Sequence, residues 1–80
     1  MTYWATLWYS GAVVMQLGYE GQSIDECLSL TRTMTLDLEQ SYAEPENIDP
    51  QTLSMFPTNE FAVSCEVEKL DIDEKYAKEN

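Results

Sequence analysis

Hydrophobic and polar positions change their period twice along this chain. From Tyr3 to Tyr9 they alternate, with Tyr3, Ala5, Leu7 and Tyr9 on one side and Trp4, Thr6 and Trp8 on the other. Aromatic and β-branched residues dominate the stretch, which predicts a strand with two apolar faces. Ser10-Gly11 predicts a two-residue hairpin turn, and Ala12 to Leu17 the returning strand. Gly18 and Gly21 bracket Tyr19-Glu20 as a loop. The period then lengthens. Ile24, Cys27, Leu28, Thr31, Met34, Leu38 and Tyr42 recur at helical spacing, which predicts one amphipathic helix over Ile24 to Tyr42.

Ser23 followed three residues later by Glu26 is a capping-box pattern, in which the serine hydroxyl accepts from the Glu26 amide and the carboxylate reaches back. Asp25 and Glu26 also suit the positive end of the helix dipole. Beyond Tyr42, Ala43 to Pro50 reads as an acidic loop holding two prolines. Asp49-Pro50 is a good N-cap and first-turn pair, so Gln51 to Met55 is expected to form a short helical turn. Alternation returns from Phe61 to Val67, where Phe61, Val63, Cys65 and Val67 point one way and Ala62, Ser64 and Glu66 the other.

The expected architecture is α+β, in the order ββα(short helix)β. If the last strand pairs with the first, it runs antiparallel to it. The result is a three-stranded antiparallel sheet of order 2-1-3, with the amphipathic helix on the face that carries Cys65. One domain over residues 1–72 is expected, with 73–80 a charged, frayed tail. Cys27 and Cys65 are expected close together in one core. The first reading is a buried free pair, and a disulfide is the alternative if the protein is exported.

Charge adds a constraint that the pattern lacks. Fifteen acids and four bases give a net charge of −11 over 80 residues, and nothing from Met1 to Tyr19 is charged. Such a balance repels nucleic acid and anionic membranes and favours a cationic partner. The uncharged start lacks the positive n-region of a signal peptide, and polar residues interrupt it short of a membrane span. The expected compartment is therefore cytoplasmic.

Candidate chemistry is sparse. There is no histidine, so Ser–His and Cys–His activation are excluded. No glycine-rich phosphate loop occurs. Two cysteines 38 positions apart match no zinc spacing, and Asp71-x-Asp73-Glu74 lacks the glycine and distal glutamate of a calcium loop. No enzyme activity, no metal site and no cofactor are expected.

Two features point to binding. Trp4 and Trp8 share a sheet face that one helix leaves open, and such a patch marks a foreign or homodimeric interface unless the Pro-rich loop, Phe56 or the tail folds over it. The other is acidic: Asp25, Glu26, Asp37 and Glu39 on the helix's outer side, continued by Glu44, Glu46 and Asp49 in the loop. An acidic face is ordinarily just solvated. A duplex presents one negative charge per roughly 1.7 Å, and carboxylates on a folded scaffold can occupy the same basic groove.

In size and charge the whole chain resembles the small accessory proteins encoded by bacteriophages: short, acidic, without an export signal and without catalytic residues. Several characterised proteins of that type mimic nucleic acid or inhibit host polymerases, nucleases or defence complexes. The resemblance implies a non-catalytic inhibitor that docks on a basic surface of a host protein. The alternative is a structural subunit that assembles through Trp4 and Trp8.

Overall fold

The computed structural model describes residues 1–77. Of the tail expected to fray over 73–80, residues 78–80 lie outside the described residues, while 73–77 form a turn tied to the Val13 carbonyl by the Asp73 amide and to Phe56 by the stacked Tyr76 ring.

Strand β1 (Thr2–Tyr9) and strand β2 (Ala12–Glu20) form an antiparallel hairpin, and helix α1 (Asp25–Ala43) follows. A 3-10 turn (Pro45–Asn47) leads to helix α2 (Pro50–Met55), and strand β3 (Phe61–Glu66) returns antiparallel to β1. The sheet is three-stranded with order β2-β1-β3, as the alternation and the connections imply. The hairpin turn places Ser10 at φ 51° and Gly11 at φ 86°. Serine tolerates the left-handed region here because its amide donates to the Glu60 carbonyl (3.0 Å) and its hydroxyl donates to the Glu60 carboxylate.

Three local expectations are corrected. Tyr19-Glu20 is not a loop but the end of β2, with Tyr3 opposite Tyr19 and Thr2 opposite Glu20. Gly18 therefore lies inside a strand, where the Trp4 ring occupies the space of a side chain: a Cβ there would meet the ring at 2.5 Å. Glycine marks a close approach rather than a turn. The capping box does not form either. Ile24 is the cap residue, in helical conformation, and Ser23 accepts only a 3.3 Å bond from the Asp25 amide. The serine stands one residue too early.

The inner stripe of α1 is also rotated. Cys27 and Thr31 are buried and Leu30 packs beside them, whereas Ile24 and Leu28 are 38 % and 41 % exposed. Helix α1 lies across β3 and β1 rather than β2. Its threonines use the backbone: Thr31 donates to the Leu28 carbonyl at 2.9 Å, so its burial leaves no unpaired hydroxyl.

Cys27 and Cys65 are bonded, with Cα atoms 6.0 Å apart, and are not the free pair first expected. Cys65 pairs with Ala5 in the sheet, and Ala5, Tyr3 and Cys27 form the core to which Tyr19, Leu30 and Cys65 add. Pattern predicts that the thiols share a core; their closeness depends on how α1 sits on β3. A second cluster lies at the hairpin end. Tyr9 meets Phe56 and Phe61 edge-on, each at 4.8 Å between ring centres, and Tyr76 stacks on Phe56 at 5.6 Å.

The face bearing Trp4, Thr6 and Trp8 is closed by the chain after β3. The Gln16 amide nitrogen donates to the Thr6 hydroxyl (2.8 Å), and its carbonyl accepts from the Leu70 amide (2.7 Å). Farther on, the Asp73 amide donates to the Val13 carbonyl on the outer edge of β2 (2.9 Å).

Candidate functional site

Because α1 sits over β3 and β1, the helix side of β2 is left uncovered around Met15 and Leu17, though not at Tyr19. Met15 is 37 % and Leu17 47 % exposed there. A bulge accentuates the opening. Leu7 pairs with Met15 but Trp8 pairs with Val13, so Val14 is an extra residue. Val14 and Met15 both face the same opening, a groove of about 720 Å³ between β2 and the second half of α1. Its floor and walls include Leu7, Leu38, Tyr42, Phe56 and Phe61, and Ile48 closes the end below the 3-10 turn.

Asp37 and Glu44 stand at the groove's rim, and among the described residues no lysine or arginine lines it. Tyr42 anchors the far wall. Its hydroxyl donates to the Phe56 carbonyl at 2.6 Å and so ties the end of α1 to the end of α2. Burial, and then the neighbouring Tyr9, raises its pKa above the ordinary phenol value, which keeps it a neutral donor.

The acids singled out from sequence are all exposed, but they are not one cluster. Asp25 and Glu26 lie in the first turn of α1. Glu44 is at the opposite end, about 28 Å away at 1.5 Å per residue. Asp37 faces the groove, while Glu39 lines a small cleft on the other flank of the helix beside Phe61 and Val63. Asp49 is committed to structure: its carboxylate accepts from the Gln51 and Thr52 amides, both at 3.1 Å, as the cap of α2. Among the described residues the one ion pair is that of the Met1 amine with Glu20, at 3.7 Å. Glu20 and Glu60 both titrate below the ordinary glutamate value. For Glu20 the cause is first the Thr2 hydroxyl and then the terminal amine; for Glu60 it is the Ser10 and then the Thr58 hydroxyl.

Trp4 and Trp8 lie half-buried on the sheet face that the chain after β3 crosses. The Lys69 ammonium is 5.8 Å from the Trp4 ring centre, and the Trp8 indole donates to the Ser64 hydroxyl at 2.9 Å. Asp73, part of the acidic run, turns the chain by accepting from the Lys75 amide (3.0 Å). In the core, the Tyr19 hydroxyl is buried without a hydrogen-bond partner among the described residues.

Sequence reasoning missed the groove. Its lining draws on Leu7 of β1, Met15 of β2, and Ile48 and Phe56 from the segments that follow the 3-10 turn and α2. The signal that was present was the unbroken apolar run Ala12-Val13-Val14-Met15, which departs from alternation before Gln16, as a bulge does in a sequence. The structure defines a small α+β protein, and no helix among the described residues is long and apolar enough to cross a membrane. No protein family, curated protein or solved structure matches the chain.

Proposed function

We propose that this chain is a non-catalytic protein-binding module that docks on a basic surface of a partner, in the manner of a phage-type inhibitor of a host nucleic-acid-processing enzyme or defence complex. The observation that carries the reading is electrostatic. The last turn of α1 holds no basic residue, and Glu44 and Glu46 follow it directly. A helix C-terminus carries partial negative charge, so each acid there costs about 0.3–1 kcal/mol at low salt. Among the described residues no cation pairs with these like charges, and a cationic partner would relieve them on binding.

Asp37, Glu39, Glu44 and Glu46 carry most of the recognition, and Asp25 and Glu26 add long-range steering. The proposed site of action is the cytoplasm of the host; against it stands the Cys27–Cys65 bond, the pairing tied above to an exported chain.

The test is a pull-down with the tagged protein from bacterial lysate, eluted by a salt gradient and repeated with a quadruple variant, D37N/E39Q/E44Q/E46Q. A partner released at moderate salt by the native chain and lost by the variant is the expected result. Equal retention of that partner by both proteins overturns the reading.

A further inference from the structure

We infer that the groove between α1 and β2 receives a cationic amphipathic helix from the partner: apolar side chains one turn apart in the groove, lysine or arginine at its flanks against Asp37 and Glu44. This inference rests on the reading above that the partner is basic, and it adds the place and the form of the contact.

Three observations select this occupant. The groove's volume of about 720 Å³ and its floor of Leu7, Met15, Leu38, Phe56 and Phe61 ask for apolar side chains rather than bare charge. Its rim is acidic, and the C-terminal carbonyls of α1 lie at the same end. Charge complementarity therefore excludes nucleic acid, anionic lipid and fatty acids. It also disfavours a second copy of a chain whose net charge is −11.

The third observation separates a helix from a strand. Strand addition needs a free edge, and the outer edge of β2 is already engaged at Val13, next to the Val14 bulge that lines the groove. The Asp73 amide donates to the Val13 carbonyl there, while on the opposite face the Leu70 amide donates to the Gln16 side chain and holds the same stretch of chain against β2. The face of β2 is open while its edge is not. A helix laid beside α1 uses the open face, through anchors at i, i+3 or i+4, and i+7.

The experiment uses the intact protein and two synthetic helices of about 14 residues, long enough for the anchor spacing. One has leucine at the anchor positions and lysine elsewhere; the other has serine in place of leucine. Binding is measured by titration calorimetry, and its location by the methyl signals of labelled methionines. The Leu/Lys peptide is expected to bind at least about tenfold more tightly than the Ser/Lys peptide, because burying its leucines adds apolar transfer energy. It should shift the Met15 methyl and leave Met55, outside the groove, in place. Met15→Asp should remove that advantage, and a D37N/E44Q pair should weaken binding more than a D25N/E26Q pair of equal charge change.

Equal binding of both peptides, unaffected by Met15→Asp but weakened by removing acids anywhere, overturns the groove while the acidic-surface reading stands. Binding by neither peptide overturns both.

Discussion

On the face that α1 covers, the sheet is closed by a regular element that is covalently tied to it. On the other face it is closed by irregular chain held through polar contacts. The helix side has a disulfide, an apolar core around Ala5 and Cys27, and a groove left open. The other side buries Thr6 completely and satisfies it through Gln16, which in turn holds Leu70. Amphipathic periodicity can close only one side of a sheet with one helix, and here even that side is incompletely covered. The second side lacks a helix to spare and relies on side-chain amides and hydroxyls that copy backbone bonding. The difference teaches where binding capacity resides. It lies where a rigid element falls short of the sheet edge, because flexible chain can settle onto whatever it covers.

The contrast can be broken most forcefully at the cross-link. Replacing both cysteines by alanine opens a loop spanning 38 positions, and chain entropy sets the expected loss at about 4 kcal/mol. Urea unfolding of the double variant measures it. A loss under about 1 kcal/mol would mean that packing alone holds the helix face.

The next effect belongs to the other face. A methyl group at Gly18 collides with the Trp4 ring, which must move against Lys69 and the crossing chain. Gly18→Ala should cost about 1–3 kcal/mol and change tryptophan emission. Unchanged emission would show that the ring is not seated on the strand.

A smaller effect concerns the hairpin end, where the two faces meet. Hydroxyls of Ser10 and Thr58 lower the Glu60 pKa in the folded state. Its stabilising contribution is thus present above the unfolded value of about 4.3 and is lost as pH falls through the lower folded value. Glu60→Gln should be less stable than the native chain near neutrality, and the gap should close on acidification below about pH 4. A gap that is independent of pH would refute the assignment.

The smallest change is expected at Ser23. Since its hydroxyl makes only one long bond to Asp25, Ser23→Ala should stay within about 0.5 kcal/mol of the native stability, well short of a true N-cap loss. A loss of about 1 kcal/mol would restore the capping box.

What the sequence by itself determined is the set of elements and their pairing. Alternation at Tyr3–Tyr9 and Phe61–Val67, the Ser10-Gly11 turn and the long 3.6-residue period leave few ways to bury the apolar residues, and the 2-1-3 sheet follows. The Asp49-Pro50 cap was equally legible, since the bonds it makes are local. Acid positions were readable too, but not their grouping, which depends on the flank of α1 that each one occupies. Only the tertiary structure decided the lateral seat of α1 on the sheet. From that seat follow the Cys27–Cys65 bond, the inward turn of Leu30 in place of Leu28, and the uncovered side of β2. The physical reason is that a periodic pattern specifies which side of an element is buried, while the partner it meets depends on packing volumes summed over residues distant in the chain.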